Sequence, residues 1–262
     1  MSEKMVILTK KDKVATVTLN RPEFNNAIDL NLVKDLYDAF KDCHHDSSIR
    51  SVIFTGNGTM FSAGGDLSLF KKNADNLGPL VTDMTAYFHQ AITLMHRMEK
   101  PIITAINGTA AGGGLSLAIS GDIVISSDQA KFSCAYTAAG LSPDGSMTYV
   151  LPRLIGMKKT KELMITNRRF LPDEALNMGM IDEVVKHDQL NKTALDMATT
   201  LANGATKAYG AVKSLLAETF SSSLESHLEQ EARFLNIRAQ SKDGKEGVKA
   251  FIEKRKPNFV AD

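Results

Sequence analysis

The sequence has no tryptophan, only two cysteines, and aromatic residues at 6% of its 262 positions. Cys43 and Cys134 sit in unrelated contexts, which excludes a disulfide framework and the paired spacing of a zinc site. That scarcity fits a reducing compartment, so a cytoplasmic protein is expected. Neither sign of charge is in surplus: 31 Lys and Arg face 30 Asp and Glu, a formal net charge of +1. The balance argues against nucleic acid and against an anionic membrane as partners. No apolar run reaches the roughly 18 residues of a membrane span. The opening Met-Ser-Glu-Lys-Met lacks the apolar core of a signal peptide, and the closing Phe-Val-Ala-Asp262 carries no targeting address. Sequon matches at Asn57 and Asn107 are therefore read as chance. The histidines have no Cys or carboxylate at ligand spacing, so no metal is expected; His89 and His96, seven apart, share one helix face.

The remaining composition, 43% hydrophobic and 23% charged, supplies a full core for one large domain. The first half alternates strands and helices. Met5 to Thr9 and Val14 to Leu19 read as a hairpin, broken by Asn20-Arg21-Pro22. Asp29 stands at the N-cap of an amphipathic helix to Cys43, with Leu32, Val33, Leu36, Ala39 and Phe40 on one face. Ser51 to Thr55 is a buried strand. A helix spans Leu80 to Met98, ended by Lys100-Pro101, and Ile102 to Ile106 is again a strand. Short strands follow at 122–126 and 131–133. The recurring strand-strand-helix order predicts an α/β fold with helices packed on curved sheets. Beyond about residue 157 strands almost vanish, and helices are expected at 159–166, 172–178, 188–203, 205–218, 223–238 and 245–255. The chain is divided as an α/β core, 1–195, and a helical C-terminal region, 196–262, that covers a site or makes subunit contacts.

Two glycine-rich turns carry the chemistry. Gly108-Thr-Ala-Ala-Gly112-Gly113-Gly114 runs from a strand into an Ala-rich helix. Phe61-Ser-Ala63-Gly64-Gly65-Asp66-Leu67 follows an earlier strand. Glycine lets backbone come close to a ligand, and a helix N-terminus favours negative charge. One amide donor from each turn makes an oxyanion hole. Asp66 also suits the cap of a following helix.

Together with Leu19-Asn-Arg21-Pro22, Asn25-Asn26-Ala27, Pro101 through Gly108, Leu151-Pro-Arg153-Leu-Ile-Gly156, Glu174 through Asp182 and Phe251 through Pro257, these turns resemble the crotonase (enoyl-CoA hydratase/isomerase) superfamily, in order and over nearly the whole chain. The resemblance implies a spiral of strand-strand-helix units, a helical trimerisation region, and a homotrimer or dimer of trimers. It implies an acyl-CoA thioester as ligand, with coenzyme A part of the substrate and no separate cofactor. The hole would be the N–H groups of Gly65 and Gly113. Gly64, Asp66, Leu67 and Gly112 belong to the two substrate-binding turns. The backbone at Ala63 would meet adenine, and Lys71, Lys72, Lys254 or Arg21 the CoA phosphates.

Hydratases of this kind use two glutamates, at positions where this chain has Ser116 and Tyr136. Hydration needs an acid and a base, and neither side chain serves at neutral pH. Asp144, on the turn Pro143-Asp144-Gly145, falls where some members carry an acid/base or nucleophile. In isolation Pro-Asp-Gly is an ordinary β-turn. One carboxylate suffices to move one proton along an unsaturated thioester, so an acyl-CoA isomerase is expected. The ring-epoxide (epoxydihydrophenylacetyl-CoA) isomerases are the nearest type, because dienoyl isomerases pair this Asp with a further carboxylate. An aryl-CoA dehalogenase would want aromatic walls. A fatty-acid β-oxidation hydratase and an inactive acyl-CoA binder are the alternatives. Tyr136 would orient the acyl group, and Met84, Tyr87, Phe88 and Met95 would line its pocket.

Overall fold

The computed structural model describes residues 4–262. β1 (Val6–Lys11) and β2 (Val14–Leu19) form the expected hairpin, and α1 (Leu30–His45) follows. The α1 cap is as read from the sequence: the Asp29 carboxylate accepts the Leu32 N–H at 2.8 Å. Its apolar stripe, Leu32 to Cys43, is buried. The far end is closed by a lysine, because the buried Lys100 ammonium donates to the carbonyls of Cys43, His44 and Asp46.

Next come β3 (Ser51–Gly56), β4 (Met60–Ser62), α2 (Leu67–Lys72) and α3 (Leu77–Arg97). β5 (Ile102–Ile106), β6 (Thr109–Ala111) and α4 (Gly113–Ala118) repeat that order, and β7 (Ile123–Ser127) and β8 (Phe132–Ser133) begin it again. Within each unit the first strand joins one sheet and the second joins another. With the later strand β9 (Glu183–Val185) at its edge, the large sheet has the order β1-β2-β3-β5-β7-β9, parallel except for the hairpin; the small one is β4-β6-β8, all parallel. This is the strand-strand-helix order read from the sequence, in the arrangement that the resemblance implies.

The remaining elements are α5 (Met147–Ile155), α6 (Met157–Thr166), α7 (Pro172–Asn177), β9 (Glu183–Val185), α8 (Leu190–Ala202), α9 (Thr206–Glu218), α10 (Leu224–Gln240) and α11 (Lys242–Ile252). Sequence reading missed α5 because Pro152 lies inside it; Met147, Val150 and Leu151 hold the helix by burial instead. α11 starts three residues early, at Lys242, capped by Ser241, whose hydroxyl accepts the Gly244 N–H at 3.0 Å.

Side chains alternate across β3. Phe54 stacks edge-on against Phe40 of α1 and Phe61 of β4, with ring centroids 5.3 Å apart in both pairs. Ile53 points to the opposite face, where Val14, Ile103, Ala105 and Ile125 meet Leu190, Ala194, Ala198 and Ala202 of α8. Those four recur every fourth residue, the spacing of one helical stripe. The boundary expected after residue 195 therefore falls within a helix that seals the core. The helices beyond are fixed to that core: Lys213 of α9 pairs with Asp122 at 2.6 Å, and Arg50 donates to Thr206 Oγ1 and the Phe259 carbonyl. Among the described residues no helix is long and apolar enough to cross a membrane.

Both cysteines are buried, and burial pushes the Cys43 thiol up to about 12 and that of Cys134 to about 11. Phe54→Ala should remove two aromatic contacts and leave a cavity in the buried core. Urea denaturation should show a loss of about 3–5 kcal/mol, and a loss below about 1 kcal/mol would contradict this packing.

Candidate active site

The first glycine turn is fastened to residues 25–29. Ala63 N–H donates to the Asn25 carbonyl (3.0 Å), Ile28 N–H to the Gly64 carbonyl (2.7 Å), and Asp66 N–H to the Ile28 carbonyl (3.0 Å). Ile28 and Gly65 are thereby paired as a parallel bridge. In such a bridge the bonds flank Gly65, so its own N–H is turned to the other side. The second turn places Gly113 at the first position of α4, where a helix leaves its N–H groups without intrahelical acceptors. Among the described residues neither the Gly65 nor the Gly113 N–H has a protein acceptor.

The turns touch. Gly64 lies at φ +85°, and a Cβ there would sit 2.6 Å from the Ala111 carbonyl oxygen and 3.2 Å from the Gly113 nitrogen. Only glycine allows both the conformation and the approach. Gly65 and Gly113 then line one cavity of about 360 Å³, within the range of small-molecule sites. Its walls are mostly apolar: Ile28, Leu67, Phe70, Val81, Met84 and Phe88, with Ala63, Gly112, Tyr136 and Asp144 at the polar side. In such surroundings two fixed N–H donors interact more strongly with a developing oxyanion than they would in water.

Asp144 is the one carboxylate lining this cavity among the described residues. Its Oδ1 accepts the Tyr136 hydroxyl at 2.7 Å. Ser116 Oγ donates to the Asp144 carbonyl at 2.9 Å and lies 3.0 Å from the Tyr136 oxygen. The three residues thus form one network. Burial, and after it the Asp144 charge, push the Tyr136 hydroxyl far above its ordinary value, so it remains a donor.

The structure separates the expected substrate contacts. Ala63, Gly65, Leu67, Gly112, Gly113, Tyr136 and Asp144 meet around the cavity. Gly64 does not line it and serves the contact between the turns. Arg21 is no free phosphate ligand. It is 8% exposed, donates to the Ala27 carbonyl at 2.8 Å, and pairs with Asp66 at 2.8 Å and Asp29 at 3.5 Å. Asp66 likewise does not line the cavity: it caps α2 through the Leu69 N–H at 3.0 Å. Burial works to raise its carboxyl, but that N–H and the Arg21 guanidinium outweigh it and hold the group below its usual value. Lys71, Lys72 and Lys254 are exposed and outside the cavity lining. Of the expected wall, Met84 and Phe88 are in place. Tyr87 instead packs edge-on against Tyr37, and Met95 is buried in the core. Sequence reading gave His89 no part, yet its Nε2 lies 3.7 Å from Asp144 Oδ2. His96, expected on the same face, has its Nε2 buried without a partner.

Residues 9–262 match the family model for enoyl-CoA hydratase/isomerase. The chain belongs to this family, the crotonase superfamily. It is 35% identical over 258 residues to the 1,2-epoxyphenylacetyl-CoA isomerase of Escherichia coli, covering 97% of this chain and 98% of the relative. It is 33% identical over 252 residues to a short-chain-enoyl-CoA hydratase of Clostridium acetobutylicum, covering 96% and 95%. The crystal structure of an enoyl-CoA hydratase from Polaromonas sp. JS666 superposes with a TM-score of 0.92 at 30% identity, covering 97% of this chain and 98% of that one. The crotonase fold is thus shared with relatives whose names record different reactions.

Gly64→Ala should force the two turns apart. Turnover of an enoyl-CoA should fall about 10²-fold or more, the loss expected when one oxyanion donor is misplaced. Gly78→Ala, at an α3 position with open space around it, should leave turnover intact and serves as the control. Equal rates for the two variants would mean that contact between the turns does not position the donors.

Proposed function

We propose that this crotonase-family enzyme is an acyl-CoA isomerase that moves a double bond with a single carboxylate. The observation that carries the reading is the cavity's acid count: Asp144 is its one carboxylate, and the two hydratase glutamate positions hold Ser116 and Tyr136 bonded to Asp144. The thioester oxygen accepts the N–H groups of Gly65 and Gly113. Asp144 takes a proton from a carbon whose anion is conjugated with that carbonyl, and the charge moves onto the held oxygen. The same carboxyl then returns the proton to another carbon of the delocalised enolate. One mobile proton needs one base, whereas hydration needs a water-activating base and a separate acid. No cofactor is required beyond the coenzyme A carried by the substrate.

The CoA portion would leave the cavity past Ala63, with its phosphates near Lys71 and Lys72. Lys254 would act from a neighbouring copy. A homotrimer or dimer of trimers suits the apolar side chains left exposed on α9 to α11, among them Leu216, Phe220, Leu235 and Phe251. Light scattering after gel filtration should report three or six copies, and a monodisperse monomer would remove Lys254 from the site.

The activity test is a paired assay. Trans-3-enoyl-CoA should be converted to the 2-enoyl isomer, while trans-2-enoyl-CoA should keep its conjugated absorbance. Asp144→Asn should lower isomerisation about 10²-fold or more while acyl-CoA still binds. Activity above about a tenth of wild type would exclude Asp144 as the base, since general-base catalysis contributes more than that. Rapid hydration would favour the hydratase alternative; binding without either reaction would favour an inactive acyl-CoA binder.

A further inference from the structure

The two oxygens of Asp144 have different neighbours. Oδ1 accepts the Tyr136 hydroxyl, and the network behind it ends at Ser116, which is fully buried. Burial keeps the Tyr136 proton in place, so this side offers no route for a proton to water. Oδ2 receives no hydrogen bond among the described residues; its ionisable neighbour is His89 Nε2 at 3.7 Å. His89 follows Phe88 on α3, and successive helical side chains point about 100° apart. Phe88 is buried and lines the cavity, whereas His89 is outside the lining with 54% of its side chain exposed. The pair spans the cavity wall, one ring inside and the other facing solvent.

We infer that His89 is the route by which the proton held on Asp144 exchanges with bulk water during turnover. This rests on the proposed role of Asp144 as the base. When the substrate C–H bond breaks, its electron pair enters the enolate and the proton forms an O–H bond at Oδ2. That proton then has two fates. It returns to another carbon of the same enolate, or it passes to the lone pair of neutral Nε2, restoring the carboxylate and leaving an imidazolium that releases a proton to water. The reverse of the second path places a solvent proton on Oδ2. The Asp144 side chain is itself 33% exposed, so direct exchange with water competes with the relay, and an acyl group in the cavity would cover the inner side of the carboxyl. The 3.7 Å separation is a few tenths of an ångström beyond a hydrogen bond, and rotation of the exposed imidazole closes it. His89 is a positioning and relay group acting through Asp144.

The test is isomerisation of trans-3-enoyl-CoA in D2O, with solvent deuterium counted per product molecule by mass spectrometry. That ratio is normalised to turnover, so a merely slower enzyme does not change it. Wild type should carry solvent deuterium in a measurable fraction of product. His89→Gln, which keeps a polar side chain but cannot take the proton, should lower that fraction several-fold. His45→Gln, exposed at the end of α1, should match wild type. An unchanged fraction in His89→Gln, or none in wild type, overturns the inference. Asp144→Asn separates the two ideas. If it keeps turnover, the base assignment fails and the relay with it. If it is inert while His89→Gln leaves the deuterium fraction unchanged, only the relay fails.

Discussion

The pairing of Ile28 with Gly65 is the constraint on which the site depends. Two backbone hydrogen bonds to Ile28 fix the peptides on either side of Gly65 and thereby turn its N–H the other way. Residues 25–29 are in turn held by Asn26, whose buried side chain accepts the Arg21 N–H and donates to the carbonyls of Asn57 and Met60. Arg21 adds a charged brace, since one guanidinium pairs with Asp29, which caps α1, and Asp66, which caps α2. Removing one member of such a buried pair leaves an uncompensated charge, which costs far more than an exposed ion pair is worth. The Gly65 N–H is thus positioned from the hairpin side of the molecule, with Arg21, Asn26, Asp29 and Asp66 acting from outside the cavity lining.

The second donor is positioned by different means. Gly112 N–H donates to the Ser133 carbonyl of β8, and the Gly112 carbonyl accepts from Leu115 and Ser116. These bonds anchor the start of α4 to the small sheet and leave the Gly113 N–H without a protein acceptor. Gly64 then sets the distance between the turns through backbone contact. The contact between the turns is therefore one of backbone with backbone. A hole built from backbone would let one fold serve relatives named for different reactions: in the proposed role it holds an oxyanion, and the side chains around it decide where protons go.

Much of this was legible because it is local. The Asp29 cap, the α1 stripe and the passage from Gly112-Gly113-Gly114 into a helix each occupy a few consecutive residues. What escaped was tertiary. Arg21 reads as a spare cation next to Pro22 until folding brings Asp66, 45 positions later, within 2.8 Å. Tyr87 and Met95 share the helical spacing of Met84 and Phe88, but periodicity cannot tell a cavity wall from a core when both are apolar. His89 carried no sequence signal, because its neighbour Asp144 is 55 positions away on a turn that is set by packing. Pro152 misled in the other direction, as a breaker overruled by burial of its neighbours.

The Asp144 network also shows why swapping residue types at the two glutamate positions changes more than acidity. A glutamate in place of Tyr136 would put a second negative charge against Oδ1, where a hydroxyl proton now sits at 2.7 Å. Two carboxylates at that distance cannot both ionise without large cost, so one would hold a proton at neutral pH. The pair would then divide into an acid and a base, the two-carboxylate arrangement that the resemblance gives to dienoyl isomerases. Tyrosine at this position prevents the division, because its proton is fixed by burial and its donation leaves Asp144 as the group in the cavity free to take a proton. The proposed single-carboxylate mechanism is therefore set by the residue that holds the carboxylate as much as by the carboxylate itself.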